Sequence, residues 1–269
     1  MLDELSQERS DVGILDKIIE TKKEEVEQLK KQTSISALER IISQLEPCRD
    51  FRTALQGGVC NIIAEVKCAS PSRGRLLADF DPVGIAGIYE ENGAAAISVL
   101  TDEKYFAGHK NYLSQIRQRV KLPLLRKDFI IDPLQIYETR AIGADAILLI
   151  VHVLGNKLAE FILLSKNIGL NPLVEVHTEK ELELALAAQA EIIGINNRNL
   201  DTFVTDIETS RTLRARVPAD KIVVAESGIT SRADIEYLMQ AKIQTFLIGE
   251  ALITAPDIGE KLRAFKGEK

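Results

Sequence analysis

The sequence predicts an α/β protein, a (β/α)8 TIM barrel with extra N-terminal helices. Its 269 residues, of which 45% are hydrophobic, suit one domain with a large core. From Asn61 onward, a short apolar segment and an amphipathic segment alternate eight times. Segments such as residues 146–151 are apolar throughout, as parallel strands are when helices cover both faces of the sheet. An open doubly wound sheet is the competing topology, but no Gly-x-Gly-x-x-Gly motif follows the first strand.

The chain begins with two predicted helices that precede the barrel. Apolar residues recur at helical spacing over residues 14–31, which predicts an amphipathic helix. Ser36 and Glu39 have the spacing of a capping box and predict a second helix that Pro47 terminates. We therefore expect residues 1–50 to form a helical extension packed on the barrel, and residues 51–269 to form the catalytic barrel.

Eight strands and several helix boundaries follow from the pattern of the remaining sequence. Asp81 and Asp132 each precede a proline and are predicted N-caps, as is Thr178. Gly93 and Gly143 are predicted to end helices in the left-handed conformation. The predicted strands are residues 61–67, 95–100, 123–127, 145–151, 172–176, 192–196, 221–226 and 244–248.

Composition excludes several classes of function. The net charge is −6 and acidic and basic residues are interspersed, so we expect no nucleic-acid or membrane partner. The three cysteines have no metal-ligand spacing, which predicts reduced thiols and no metal site. No apolar run approaches the roughly 18 residues of a membrane span, and acidic residues stand where a signal peptide is basic. We expect a cytoplasmic protein, either a monomer or a weak homo-oligomer.

Charged residues end several of the predicted strands. Glu65 and Lys67 are two residues apart and therefore point to the same side of the first strand. Lys127, Glu175 and Glu226 end three others. The alternative is that each forms a surface salt bridge. Because carboxyl ends of barrel strands share one rim, we instead expect all five in one cavity, where burial and pairing shift pKa values and create acids and bases.

Glycines after the last two strands indicate a phosphate group on the substrate. Gly228 and Gly249 lie where barrels commonly bind phosphate through backbone N–H groups, and a short helix is predicted to begin near Glu250. A single glycine at such a position is usually only a turn. The hydroxyl-bearing loop 70–74 is predicted to act as a lid or as a further phosphate contact.

Six segments, in order over nearly the whole chain, resemble the signature blocks of the indole-3-glycerol phosphate synthases. They are residues 63–72, 98–106, 125–129, 173–176, 194–198 and 225–229. Cys68, Ala69 and His152 depart from residues common in that family. These departures put only local loop shape in doubt.

The resemblance implies a substrate and a set of catalytic residues. The substrate is 1-(2-carboxyphenylamino)-1-deoxyribulose 5-phosphate, and its ring closure, decarboxylation and dehydration need no cofactor. Lys127 is the expected general acid for ring closure, with Lys67 and Glu65 serving the dehydration. Glu175 is expected either to assist proton transfer or to hold Lys127. The expected catalytic set is completed by three residues that contact polar groups of the substrate, Asn196, Glu226 and Ser227.

The same resemblance implies the substrate-binding residues. Arg198 suits the substrate carboxylate because its guanidinium is planar. The phosphate is assigned to Ser70, Gly228, Gly249 and the backbone near Glu250. The walls of the anthranilate site are assigned to Pro71, Phe106, Phe129, Leu148 and Ile229. For Phe129 and Leu148 the alternative is ordinary core packing.

Other functions stay open on the sequence alone. A Schiff-base aldolase also uses a desolvated lysine on a carbonyl substrate, and two lysines are available here. A regulatory barrel that binds a sugar phosphate without turning it over needs only the phosphate site. Phosphoribosylanthranilate isomerase has a similar barrel but is expected to use a Cys and Asp pair at strand ends, which this sequence lacks.

Overall fold

The computed structural model of the protein describes residues 13–71, 73–199, 202 and 204–268. Within them, eight parallel strands close into a barrel in which each strand pairs with its neighbours in sequence and the last pairs with the first. The barrel strands are β1 Asn61–Val66, β2 Ala96–Leu100, β3 Leu124–Lys127, β4 Ala146–Ile150, β5 Asn171–Val176, β6 Ile192–Asn196, β7 Ile222–Glu226 and β8 Thr245–Ile248. The predicted barrel is confirmed, and each strand lies within one residue of its predicted bounds.

Helices cover the outside of the barrel. They are α1 Ile14–Gln32, α2 Ile35–Ile42, α3 Phe51–Ala54, α4 Pro82–Glu91, α5 Glu103–Phe106, α6 Lys110–Arg119, α7 Pro133–Ala141, α8 Val151–Leu154, α9 Leu158–Asn167, α10 Glu179–Ala187, α11 Glu208–Arg214, α12 Arg232–Met239, α13 Glu250–Ile253 and α14 Ile258–Lys266. Short antiparallel strands at Ala69–Ser70 and Gly74–Arg75 form a hairpin after β1. Among the described helices, none combines the length and the apolar character that crossing a membrane requires.

The alternation of side chains along each strand divides the core into two layers. Ile62, Ala64 and Val66 face the helices in the larger cluster, whereas Ile63 points into the barrel with Leu125 and Leu173. Residues of the same parity as the inner ones, at the ends of the strands, therefore point into the barrel mouth. This parity decides which charged groups can meet.

Most predicted helix caps are confirmed, and one is wrong. The carboxylates of Asp81 and Asp132 accept backbone N–H groups at the starts of α4 and α7, and Thr178 does so at α10. Helix α2, however, is capped by Ser34, whose Oγ accepts the N–H of Ala37 at 3.3 Å. Ser36 lies inside the first turn, so the predicted capping box is wrong. The helix also ends at Ile42, before the predicted stop at Pro47.

Helix α1 is joined to the barrel by a buried ion cluster. Lys22 is 1% exposed, and its Nζ lies 2.8 Å from Asp102 Oδ2 and 2.9 Å from Asp128 Oδ1. Oδ2 of Asp128 also accepts a hydrogen bond from Arg126 Nη2 at 3.1 Å. Burial alone would lower the pKa of Lys22, but Asp128 and Asp102 raise it above its ordinary value. Residues 1–12 of the predicted extension lie outside the described residues.

We expect Lys22→Met to destabilise the protein by about 3 to 5 kcal/mol, because two buried carboxylates are left without this cation. Urea unfolding monitored by circular dichroism measures the change. Lys23→Met is the matched control, since Lys23 is 61% exposed and pairs, among the described residues, with Glu20 on the same helix. Equal losses in the two variants would contradict this account of the cluster.

Candidate active site

One cavity of about 670 Å³ opens at the carboxyl ends of the barrel strands. Every site residue expected from the sequence lines it, so the structure brings the whole set together at one rim. They are Glu65, Lys67, Ser70, Pro71, Phe106, Lys127, Phe129, Leu148, Glu175, Asn196, Arg198, Glu226, Ser227, Gly228, Ile229, Gly249 and Glu250. Ser72, within one of the resembling blocks, lies outside the described residues.

Lys127 lies at the centre of a cluster of charged side chains at this rim. Its Nζ lies 2.9 Å from Glu226 Oε2 and 3.3 Å from Glu175 Oε2. The side chains of Glu175 and Glu226 are 3% and 1% exposed, which rules out surface salt bridges for both. Burial alone would lower the pKa of Lys127, but the carboxylates of Glu226, Glu175 and Glu65 raise it above its ordinary value. Lys127 is therefore held as an ammonium group between these carboxyl groups.

The two carboxyl groups beside Lys127 differ in protonation. Burial raises the pKa of Glu226 to about 7. The positive charge of Lys127 offsets only part of this effect of burial, and the negative charge of Glu175 repels the ionised form of Glu226. Burial would also raise the pKa of Glu175, but Lys127 and His177 lower it below the ordinary value. Two neighbouring acids whose pKa values are pushed apart can hold and accept a proton near neutral pH.

A second ion pair lies at the end of β1. Lys67 Nζ is 3.4 Å from Glu65 Oε1 and 5.6 Å from the centre of the Phe106 ring. Phe106 and Phe129 are neighbours, with ring centres 6.2 Å apart. The predicted placement of Glu65 and Lys67 on one side of β1 is confirmed by this contact. An ammonium group, a carboxyl group and an aromatic wall thus meet within reach of one bound molecule.

Two glycines leave space for the buried carboxyl groups. A Cβ at Gly249 would lie 2.4 Å from Glu65 Oε1, and one at Gly194 would lie 2.2 Å from Glu226 Oε1. Sequence reasoning missed Gly194, although a glycine inside a strand often marks such a close approach. Gly249 was expected only as a phosphate contact, and its packing against Glu65 is a second reason for the missing side chain.

The loops after β1 and β7 enclose the end of the cavity near α13. Ser227 and Gly228 both have positive φ, at 65° and 77°, and a Cβ at Gly228 would meet Thr205 Cγ2 at 2.5 Å. Arg73 Nε lies 3.0 Å from Glu250 Oε1, which joins the loop after β1 to the start of α13. The predicted short helix at Glu250 is confirmed.

Further residues line the cavity that sequence reasoning did not select. Helix α1 contributes an apolar wall through Ile14, Leu15 and Ile18, and α14 contributes Lys261. The amphipathic pattern of α1 predicted a buried face but could not show that part of this face covers the barrel mouth. Lys261 carries no distinguishing signal in the sequence.

Sequence comparison relates the chain to one family. Residues 15–265 match the family model described as indole-3-glycerol phosphate synthase. An indole-3-glycerol phosphate synthase of Desulforamulus reducens is 48% identical over 253 residues, which cover 93% of this chain and 96% of that protein. Another from Chlorobium phaeovibrioides is 49% identical over 247 residues, or 91% of this chain and 96% of that protein.

Structural comparison supports the fold alone. The crystal structure of KGPDC from Streptococcus mutans matches with a TM-score of 0.60 at 14% identity, covering 78% of this chain and 97% of its own. Thiamine phosphate pyrophosphorylase from Pyrococcus furiosus matches with a TM-score of 0.59 at 15% identity, covering 78% of this chain and 94% of its own.

Proposed function

The chain belongs to the indole-3-glycerol phosphate synthase family, a family of carboxy-lyases of tryptophan biosynthesis, and we propose how its cavity performs that reaction. The substrate is 1-(2-carboxyphenylamino)-1-deoxyribulose 5-phosphate, which loses CO₂ and water as the indole ring closes. The observation that carries this assignment of roles is the ammonium group of Lys127, whose Nζ lies 2.9 Å and 3.3 Å from the buried carboxyl groups of Glu226 and Glu175.

Lys127 acts as the general acid of ring closure. The aromatic carbon that bears the carboxylate attacks the ketone carbon, and the ketone oxygen takes a proton from the ammonium group. Loss of CO₂ from that aromatic carbon then returns the bonding electrons to the ring. Glu175 and Glu226 keep the donor in its protonated form before the reaction, because each contacts Nζ directly.

Lys67 and Glu65 serve the dehydration. The new hydroxyl group leaves as water after protonation, and a proton is removed from the neighbouring CH₂ group to form the double bond of the indole. One member of the Lys67 and Glu65 pair donates and the other accepts, since the two groups lie 3.4 Å apart and face the same cavity. The cavity walls of Phe106 and Phe129 exclude water around the aromatic ring.

The remaining cavity residues orient the substrate. Arg198 and Asn196 hold its carboxylate and other polar groups, while Ser227 contacts a hydroxyl or amine group. The phosphate lies near Ser70, Gly228 and the backbone N–H groups at Gly249 and Glu250, in the part of the cavity closest to α13. The aromatic ring packs among Pro71, Phe106, Phe129, Leu148 and Ile229.

A Schiff-base mechanism fits this geometry less well. A lysine that attacks a carbonyl group must be a neutral amine, which requires a lowered pKa. Three carboxylates instead raise the pKa of Lys127, so its ammonium form persists. The geometry therefore favours acid–base chemistry over a covalent intermediate.

The cellular location, the oligomeric state and the role of the N-terminal extension are proposals as well. We propose a cytoplasmic monomer or weak homo-oligomer without nucleic-acid or membrane partners, given the net charge of −6. We also propose that residues 1–50 act as an extension of the barrel formed by residues 51–269, since α1 both closes the cavity and pairs with Asp102 and Asp128.

The purified protein tests the proposal directly. We expect incubation with the carboxyphenylamino substrate to release CO₂ and to produce the fluorescence of indole-3-glycerol phosphate, without added cofactor. Tight substrate binding with neither product would contradict the proposal and would favour a non-catalytic sugar-phosphate-binding barrel.

A further inference from the structure

The two carboxyl groups that share Lys127 have different surroundings. Glu175 has, besides Lys127, the imidazole of His177 and a side-chain hydrogen bond from Asn196. Glu226 has Lys127 alone as its cation among the described contacts, and its Oε1 is buried without a hydrogen-bond partner within the described residues. A buried carboxylate oxygen without a partner favours the protonated form of its group. The partners of Glu175 therefore contribute to the difference between the two acids, beside the burial of Glu226.

His177 is placed beside Glu175 by the register of β5. It follows Glu175 by two residues and so points to the same side, into the barrel mouth. Its side chain is 9% exposed, and Nε2 lies 3.4 Å from Glu175 Oε1. Nδ1 lies 3.2 Å from Glu181 Oε2, which also accepts the backbone N–H of His177 at 2.6 Å.

Each ring nitrogen of His177 thus faces a carboxylate oxygen. A neutral imidazole has one N–H donor and one acceptor, so it would turn a lone pair toward one of these oxygens. Nε2 has no hydrogen-bond partner within the described residues, so its 3.4 Å contact with Glu175 is one of charge, and only the imidazolium form is attracted to both carboxylates. The charged form also places a second cation 3.4 Å from Glu175, whereas no described ion-pair contact joins it to Glu226.

We propose that His177 is a positioning residue that makes the two carboxyl groups around Lys127 unequal. As an imidazolium it keeps Glu175 ionised and oriented with Oε2 toward Lys127, and it leaves Glu226 as the group that carries a proton. This inference deepens the proposed function and rests on it for its kinetic consequence, but the charge of His177 is testable without turnover.

The charges around His177 agree with this assignment. Burial alone would lower its pKa, but Glu181, Glu175 and Glu226 raise it above the ordinary value. These groups face the ring from α10, from β5 itself and from β7. On the far side of Glu181, Oε1 lies 3.2 Å from Nδ1 of His152 on α8, so Glu181 joins two histidines. Lys127 contacts the second carboxylate oxygen of Glu175, Oε2, at 3.3 Å.

Nitrogen-15 NMR of the imidazoles tests the charge directly. The chain has three histidines, so the signal of His177 is assigned by its loss in His177→Asn. We expect both ring nitrogens of His177 to be protonated at the ordinary midpoint of about pH 6.5, and deprotonation only at higher pH. A ring that is already neutral at pH 6.5 would overturn the proposal, whatever reaction the enzyme catalyses.

The kinetic test compares His177→Asn with His152→Asn. His152 also contacts Glu181, but it is 56% exposed and has no contact with Glu175, so its variant controls for loss of a Glu181 partner. We expect His177→Asn to lower kcat about tenfold with little change in KM, and to move the acidic limb of the kcat profile to higher pH by about one unit. The limb moves upward because Glu175 loses a cation that keeps it ionised.

The two arms separate the failure of this inference from failure of the proposed function. Lower kcat with an unmoved acidic limb would overturn the role of His177 while the reaction itself stands. An equal shift in His152→Asn would also overturn it, because the effect would then arise from Glu181. If His177→Asn does not fold, His177→Gln replaces it, and circular dichroism checks that each variant is native before kinetics are compared.

Discussion

Lys127→Met is expected to reduce kcat by about 10³-fold or more while substrate still binds. Methionine fills much of the same space but cannot donate a proton to the ketone oxygen, and a positioned general acid contributes about 10²- to 10⁴-fold. Loss of the ammonium group also leaves Glu175 and Glu226 without their shared cation. Single-turnover fluorescence measures the chemical step, and titration with substrate measures binding separately.

The matched control is Lys166→Met. Lys166 lies on α9 and pairs with Glu191, which immediately precedes β6 at the opposite end of the barrel from the cavity. This control should keep the wild-type rate. A Lys127→Met variant with wild-type kcat would remove Lys127 from its assigned role. Borohydride treatment during turnover adds a second check, because a trapped adduct on Lys127 or Lys67 would establish the Schiff-base alternative.

The sequence predicts the barrel well because the burial of each strand determines which residues occur within that short segment. Strands such as Ala146–Ile150 are buried on both faces, so an uninterrupted apolar run marks them. The alternation of side chains along each strand then predicts which residues point into the cavity. Once Ile63 points into the barrel, Glu65 must do so as well, and the same holds for Leu173 and Glu175.

Contacts between distant elements leave no such signal. The sequence shows that Lys127 and Glu226 end two strands, but not that their side chains approach to 2.9 Å. It shows an amphipathic α1, but Lys22 looks like one member of a solvated charged face although it is buried against Asp102. The capping-box spacing of Ser36 and Glu39 misplaced the start of α2, where Ser34 is the N-cap residue.

The buried charged groups of the cavity lower the stability of the fold but supply the groups that we propose for catalysis. A carboxyl group that is buried with an unpaired oxygen costs folding free energy when it ionises. Glu226 is such a group, since its Oε1 packs where Gly194 has no side chain and has no hydrogen-bond partner within the described residues. A substitution that removes its charge should therefore have opposite effects on stability and on activity.

Glu226→Gln is the variant that should show both effects. The amide cannot take up or release the proton, so we expect kcat to fall about 10²-fold, with a binding constant near that of the wild type. Fluorescence assays at saturating substrate measure the loss. The stability of the variant relative to the wild type should depend on pH, and the direction follows from linkage.

The pKa of Glu226 is raised from 4.5 to about 7 in the folded protein, which therefore holds more protons than the unfolded chain between these values. The contribution of Glu226 to wild-type stability therefore decreases as pH rises through this range, by about 3 kcal/mol in total. Glutamine does not titrate, so the stability of the variant relative to the wild type should increase as pH rises from 4.5 to 7. The difference should stay constant above pH 7. Urea unfolding at about pH 5 and about pH 8 measures the difference.

Glu175→Gln is the matched control, because it removes the other carboxyl group beside Lys127. The pKa of Glu175 is lowered in the folded protein, since Lys127 and His177 outweigh the cost of burial. Its carboxylate therefore stabilises the fold above its unfolded pKa, and that contribution is lost only as pH falls through the lower folded value. Glu175→Gln should be less stable than the wild type at about pH 8, where Glu226→Gln has gained. If the two variants follow the same pH dependence, the carboxyl groups are equivalent and the assigned division between them is wrong.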